Sequence, residues 1–319
     1  MNERVVLVDS DMGDCDIERR VCERAGLEFY DARGQASDDV GLLFDNPDAI
    51  LVQYQVVDHD LISRMPNLKA VATYGVGTDH IDADTCRSLG IQIIPVPDYC
   101  IDEVADHTLA LVLAALRGIV PLSLEVRAGR WPGTREFGPL RTLRDSTYSI
   151  IGFGNIGRAV YKRAAAFGAD LRVHDPYAQS RWLDEYGARS VSIEEAFESN
   201  VVSVHVPLTT STIHMVTGVL LDRMPSGGVF VNVSRGEVVC EEDLALRVEA
   251  GKLFAALDVL SHEPPEVENA LAIARGCIIT PHAGWYSNTA EHRLRQQAAS
   301  SLTEFLSTSR ESRELRGIK

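Results

Sequence analysis

Short apolar runs rich in β-branched residues recur along this chain and alternate with segments of helical periodicity. They read "RVVLVD", "AILVQY", "KAVATYG" and "IQIIPV", then "YSIIGF", "DLRVHD", "VVSVHVPL", "GVFVNVS", "AALDVL" and "CIITPH". A strand that must be followed by a helix before the next strand can pair only in parallel, and a parallel sheet needs helices on both faces. The pattern therefore predicts an α/β protein built from doubly wound parallel sheets. At 319 residues there is room for two such units. No short-period repeat, low-complexity tract or Gly/Ser linker interrupts the pattern.

A division falls near residue 102. There "DEVADHTLALVLAALRGIV" predicts one long helix with a buried stripe of Val104, Thr108, Leu111, Ala115 and Ile119, and with Asp102, Glu103 and Asp106 favouring the dipole of its first turns. The basic, Gly/Pro-broken stretch 127–145 then reads as an extended arm. A last amphipathic helix carries Leu294, Ala298, Leu302 and Phe305, and "TSRESRELRGIK" reads as a polar tail. The expected scheme is a first domain of residues 1–101 plus 284–319 and a second of residues 102–283.

Within the second domain, "YSIIGFGNIGRAVYKRAAAFGADLRVHDPY" places Gly152, Gly154 and Gly157 in G-x-G-x-x-G spacing directly after an apolar run. Ile156, Val160, Ala164 and Phe167 follow at helical spacing, and Asp175 closes the next strand. Glycines so placed permit a tight turn, close approach of a pyrophosphate to backbone amides at a helix start, and close helix–strand packing. A carboxylate at Asp175 accepts the ribose hydroxyls and repels a 2′-phosphate, so the cofactor expected is NAD, not NADP. "GVGTDH" (75–80) lacks the third glycine and does not predict a second nucleotide site.

The exterior is acidic: 31 Lys and Arg stand against 46 Asp and Glu, a net charge of −15, which argues against sequence-independent binding to nucleic acid or anionic membrane. Six cysteines show no C-x-x-C spacing, so neither a zinc site nor a disulfide framework is expected, and no other metal site is indicated. The first residues lack the basic flank, apolar run and cleavage site of a signal peptide, and the chain reads as cytoplasmic.

Ligands of an open parallel sheet gather beyond the carboxyl ends of its strands. Three reactive side chains fall at such ends: Arg235 after "VFVNVS", Glu263 after "AALDVLSH", and His282 after "CIITP". Hydride transfer to a ketone needs a proton donor and a group that grips an adjacent carboxylate. Histidine suits the first near neutral pH, a carboxylate on its far nitrogen would fix its tautomer, and arginine suits the second through paired N–H bonds. Each residue singly has a commonplace reading as a surface or turn residue; together, downstream of the glycine turn, they point to catalysis.

From end to end the chain resembles the D-isomer-specific 2-hydroxyacid dehydrogenases, through "GVGTDHID", "DEVADHTLALVLAALR", "GFGNIG", "VNVSRGE", "ALDVLSHEPP" and "TPHAGWYS". "VPDYCIDEVADH" and "HAGWYS" are most like the branch that holds the C-terminal-binding proteins, which are NAD-dependent corepressors, and their bacterial enzyme relatives. The resemblance implies a flavodoxin-like substrate domain with an NAD domain of Rossmann type inserted into it, a cleft between them, and a homodimer formed through the NAD domain. It matches Arg235, Glu263 and His282 to the family's catalytic residues, and Asp258 and Thr108 to the nicotinamide side. His205, Val206 and Pro207 match the segment beside the adenosine. Asn155, Ile156, Thr212, Val233, Ser234 and Gly284 complete the cofactor-side set. On the substrate side it matches Val76, Gly77 and Trp285, with Tyr54 on the loop after "AILVQ".

Formate dehydrogenases of the family carry glutamine where Glu263 stands, and phosphite oxidisers a lysine at Val76; this chain has neither. Gln53, Tyr54 and Gln55 offer a polar uncharged pocket where phosphoglycerate dehydrogenases place basic residues. The function expected is NADH-dependent reduction of a small 2-keto acid to a D-2-hydroxy acid. Two alternatives stand beside it: a phosphorylated or phosphonate-bearing 2-keto acid as substrate, with Arg130, Arg135 and Arg141 of the arm as candidates to reach a partner's site, and an NAD(H)-sensing corepressor-like scaffold. The scaffold reading goes with a long disordered C-terminal extension, and the short polar tail favours the enzyme.

Overall fold

The computed structural model describes residues 3–35, 46–136 and 140–315. It divides into two compact units, Met1–Tyr99 with Ser287–Lys319, and Cys100–Tyr286. The borders differ slightly from those expected at 101/102 and 283/284, for a physical reason. Cys100 supplies the carbonyl that starts the first helix of the second unit, and Ala283 and Gly284 donate their amides to Asp258 inside that same unit.

In the first unit, strands β1 (Arg4–Leu7), β2 (Glu28–Asp31), β3 (Ala49–Val52), β4 (Ala70–Thr73) and β5 (Gln92–Ile94) form a parallel sheet in the order β2-β1-β3-β4-β5. Strands β3 and β4 are buried along their whole length, as expected of parallel strands covered on both faces. Strand β2, "EFYD", is absent from the sequence expectation because it lies at the sheet edge and buries only Phe29. Helix α1 (Asp16–Arg24) and the last helix, Asn288–Leu315, pack together, and the last helix also covers β3, β4 and β5. Arg295 of that helix is buried and donates to both carboxylate oxygens of Glu18 at 2.9 Å and to the Asp14 carbonyl at 2.6 Å. The stretch read as a polar tail from residue 308 is helical through Leu315.

The second unit holds β6 (Thr147–Ile151), β7 (Asp170–His174), β8 (Arg189–Ser190), β9 (Val201–Val204), β10 (Gly228–Asn232), β11 (Leu253–Leu257) and β12 (Cys277–Ile279), all parallel, in the order β12-β11-β10-β9-β6-β7-β8. The strand direction of winding reverses between β6 and β9, the place where a ligand crevice opens. Side chains alternate faces, so Val229 and Val231 of β10 join one core with Ile150 and Val160 while Phe230 joins the other with Phe197 and Leu253.

The helix expected as one long element is two. Helix α2 (Ile101–Leu116) buries Val104, Thr108, Leu111 and Ala115 as the stripe predicts, then Gly118 turns at a left-handed φ of 58° and α3 (Ile119–Arg127) departs at 62° with Ile119 exposed. No single helix among the described residues is long and apolar enough to cross a membrane. The arm beyond α3 is irregular apart from a 3₁₀ turn at Thr134–Glu136; Arg130 pairs with Glu125 and Arg141 donates to the Ser226 carbonyl at 3.4 Å, while residues 137–139 lie outside the described set.

Candidate active site

Strand β6 leads into the glycine turn and then α4 (Asn155–Ala166). Gly152 takes φ +93°, and a Cβ there would stand 2.6 Å from the His205 carbonyl oxygen. A Cβ on Gly157 would overlap the Gly152 carbonyl oxygen, so the helix start presses against the strand end. Gly154 faces open space, with no atom within 4 Å of where its Cβ would be, and no side chain caps α4. Backbone amides at a helix N-terminus are the groups that receive an anion.

The Asp175 carboxylate accepts from the Phe153 amide at 2.7 Å and the Tyr177 amide at 2.8 Å, which ties it to the glycine turn. Each of its oxygens keeps a lone pair for a ribose hydroxyl. In the loop after β9, Thr212 donates to the Pro207 carbonyl at 2.6 Å and accepts from the Thr209 amide at 2.8 Å, fixing the segment that carries Val206 and Pro207. His205 turns inward: its Nε2 meets Ser203 Oγ at 2.8 Å, and Tyr148 donates to that same hydroxyl at 2.9 Å. Burial pushes the His205 imidazole down to about 3, so it is neutral at physiological pH. The space beside Gly154, the Asp175 carboxylate and the 205–212 loop are groups that could hold a dinucleotide.

Strands β10, β11 and β12 are neighbours, and Arg235, Glu263 and His282 follow their carboxyl ends. His282 Nδ1 donates to Glu263 Oε2 at 2.8 Å, and Glu263 Oε1 accepts from the Leu260 amide at 2.9 Å. Burial pushes the Glu263 carboxyl upward, but the hydrogen bond and charge of His282 outweigh it and hold the group below its ordinary value. Glu263 is therefore an ionised acceptor, and the proton shared by the pair resides on His282 Nδ1, so Nε2 is the ring nitrogen outside this bond. The Arg235 guanidinium donates to the Ser234 carbonyl at 2.8 Å, and its turn meets the loop that carries Glu263 through the next residue. A Cβ on Gly236 would overlap the backbone of Leu260 and Ser261, so the Arg235 turn and the Glu263 loop are in direct contact. Glu241, which opens α5 (Glu241–Glu249), accepts from the Ser261 amide and holds the same loop from the other side.

Asp258 is 3% exposed and organises the turn that carries His282. Its Oδ1 accepts from Thr280 Oγ1 at 2.5 Å and the Ala283 amide at 2.9 Å, its Oδ2 from the Gly284 amide at 2.8 Å, and its carbonyl from the His282 amide at 2.8 Å. Burial raises the Asp258 carboxyl, yet the bonds from His107, Thr280 and Gly284 win and keep it below its usual range. Thr108 is fully buried with its hydroxyl donating to the Val104 carbonyl at 2.7 Å; the residue before it, His107, is the one that reaches Thr280, at 2.9 Å. Ser234 donates to Asn232 Oδ1 at 2.8 Å, and the buried Asn232 in turn donates to the Arg235 carbonyl at 2.8 Å. Val233 packs at the edge of the β6–α4 core, and Trp285 meets Tyr286 edge to face at 5.5 Å. Asn232, Thr280, His107 and Gly236 were absent from the sequence reading; the polar Asn and Thr interrupting apolar strands were the signal that could have found two of them.

In the first unit, Tyr54 follows β3, and Val76 and Gly77 follow β4. Asp9 accepts from the amides of Gln53, Tyr54 and Gln55 at 2.9, 2.7 and 3.1 Å, and the exposed Tyr54 donates its hydroxyl to Asp11 at 3.0 Å. Val76 is exposed.

Residues 109–284 match the family model of the D-isomer specific 2-hydroxyacid dehydrogenase NAD binding domain. The hydroxypyruvate reductase of Thermotoga maritima is 36% identical over 75% of this chain and 77% of its own length. The chain belongs to the D-isomer specific 2-hydroxyacid dehydrogenase family. The glyoxylate reductase of Korarchaeum cryptofilum is 33% identical over 78% of this chain and 76% of its own. Among solved structures, D-lactate dehydrogenase of Aquifex aeolicus, complexed with NAD and lactic acid, superposes with a TM-score of 0.85 at 25% identity, covering 97% of each chain. This family member is thus an NAD-dependent oxidoreductase acting on 2-hydroxy or 2-keto acids, with two parallel-sheet α/β units.

Proposed function

We propose that the protein reduces a small 2-keto acid with an uncharged tail, of the size of glyoxylate or hydroxypyruvate, to its D-2-hydroxy acid. The observation that carries this reading is the 2.8 Å bond between His282 Nδ1 and Glu263 at the carboxyl end of the sheet that also bears the glycine turn. Gly154, Asn155, Ile156 and Asp175 would hold the adenosine and pyrophosphate side of the cofactor, with the 205–212 loop, Val233 and Ser234 lining its path, and Thr108, Asp258 and Gly284 toward the nicotinamide. Bound there, NADH supplies the hydride to the carbonyl carbon.

The protein's own residues do the rest. Arg235 grips the substrate carboxylate and polarises the adjacent carbonyl. Protonated His282 gives the hydrogen on Nε2 to the developing alkoxide, and the Glu263 carboxylate stabilises the imidazolium beforehand and fixes the ring. In the reverse direction neutral His282 takes that proton back. Tyr54, Val76 and Gly77 are assigned to the substrate's tail and carboxylate, and Trp285 to the wall of its pocket.

A homodimer belongs to the same proposal. Ile119, Leu124 and Val126 of α3 are exposed, and Trp131, 87% exposed, lines with Pro121, Leu122 and Phe254 a cavity of about 570 Å³; together they offer apolar surface suited to a second copy. Six free cysteines fit a reducing compartment, and a cytoplasmic setting is proposed with it.

The deciding experiment follows nicotinamide absorbance while purified protein meets NADH and a panel of 2-keto acids, phosphorylated and phosphonate-bearing ones included. Turnover of the small acids, lost by at least about a hundredfold in Arg235→Ala with NADH binding intact, is expected. NADH binding with no turnover of any acid would overturn the proposal in favour of a cofactor-sensing scaffold.

A further inference from the structure

Asp258 lies below the ordinary carboxylate range and so only accepts hydrogen bonds. Thr280 Oγ1, 2.5 Å from Asp258 Oδ1, must direct its hydrogen there. The same hydroxyl oxygen can then face His107 Nε2, 2.9 Å away, only as an acceptor, which places a hydrogen on that ring nitrogen in either charge state of the imidazole. Nε2 also stands 3.4 Å from Asp258 Oδ1. His107 Cδ2, meanwhile, would come 3.2 Å from a Cβ on Gly284. The ring therefore buttresses both flanks of the turn that carries His282, at Thr280 and at Gly284, from a position 173 residues away from Thr280 in the chain.

That turn needs support. His282 adopts φ +51°, a left-handed conformation that is strained for a residue with a side chain and persists only where its surroundings over-determine it. The Asp258 carboxylate provides this by gripping the Ala283 and Gly284 amides, and His107 with Thr280 sets the orientation of that carboxylate.

We propose that His107 is a positioning residue for His282: its Nε2–H orients Thr280 and Asp258, and through them the backbone from which the proton-exchanging imidazole projects. The inference rests on the reading of His282 as the proton-exchanging group.

The test compares His107→Leu, His107→Gln, Thr280→Val and His282→Asn with the parent protein. It measures kcat, KM for the 2-keto acid, NADH affinity by fluorescence, and hydrogen exchange at the Ala283 and Gly284 amides without cofactor. His107→Leu is expected to lower kcat by about tenfold or more, because a displacement well under 1 Å at the imidazole is that costly, while KM and NADH affinity stay within about twofold. Exchange at both amides should rise in step. Glutamine, whose side-chain nitrogen can occupy the place of Nε2, should restore most of kcat and of amide protection, and Thr280→Val should behave as His107→Leu does. If His107→Leu does not fold, the glutamine and Thr280→Val variants carry the same comparison. Unchanged kcat and exchange in His107→Leu, with His282→Asn inactive, overturns this inference alone. Full activity in His282→Asn overturns the functional reading beneath it. A loss in His107→Leu that appears in NADH affinity and not in kcat, or one that glutamine fails to repair, also overturns the positioning role.

Discussion

Asp258 shows how much one carboxylate can decide. Replacing it by Asn sets an amide donor against the Ala283 or Gly284 N–H, in a buried place where a mismatched polar pair costs about 2 kcal/mol. Asp258→Asn should therefore lower Tm by about 4–8 °C in calorimetry. The effect should depend on pH in a definite sense. A carboxyl held below its unfolded value contributes stability in full above about pH 4 and loses it as pH falls through the lowered folded value. The Tm gap between parent and variant should accordingly narrow below about pH 4, and a gap that widens in acid would refute the assignment of an ionised Asp258. At this scale the pairing of Glu263 with His282 was legible in the sequence, because both side chains stand just after apolar runs. The sequence was silent at His107, Thr280 and Asn232, because their meaning lies in partners brought near only by the fold; a histidine early in a helix and an asparagine ending a strand have many ordinary explanations.

Among the elements, the strand–turn–helix unit at β6 and α4 separates two glycines that look equivalent in the motif. Gly154 faces open space at φ −70°, so Gly154→Ala should fold with Tm unchanged yet weaken NADH binding by about tenfold, because the methyl group enters the space proposed above for the pyrophosphate. Gly157→Ala should instead lower stability by about 1–3 kcal/mol, since its methyl overlaps the Gly152 carbonyl. Denaturant titration beside fluorescence binding distinguishes the two, and equal losses in both assays would contradict the geometry. Most strands were readable because parallel strands covered on both faces are buried along their whole length, as β3, β4 and β10 are, and so read as nearly continuous apolar runs. Strands β2 and β8 escaped because edge strands need no such run, and the break between α2 and α3 escaped because a single glycine within an apolar stretch is compatible with a helix until its φ is known.

For the whole molecule, the two-unit plan followed from the alternation of strands and helices, whereas the buried ion pair between the last helix and α1 is one that no spacing rule announces. Arg295 and Glu18 are 277 residues apart in sequence and meet through two hydrogen bonds of 2.9 Å. Arg295→Leu leaves Glu18 a buried charge without its cation, and should destabilise the protein by about 3–5 kcal/mol. The double variant with Glu18→Leu should recover part of that loss, because the uncompensated charge is removed while the buried Tyr74 hydroxyl, which donates to Glu18 at 3.0 Å, loses its acceptor; no recovery at all in urea unfolding would refute the account of a stranded charge. This same discontinuity bears on biosynthesis. As the nascent chain leaves the ribosome, α1 and the faces of β3, β4 and β5 emerge well before residues 288–315, which cover them. At bacterial or eukaryotic elongation speeds that interval lasts about 10–40 seconds. Throughout it, apolar surface destined for burial is open to holdase chaperones, while the intervening unit, continuous in sequence, is free to fold first.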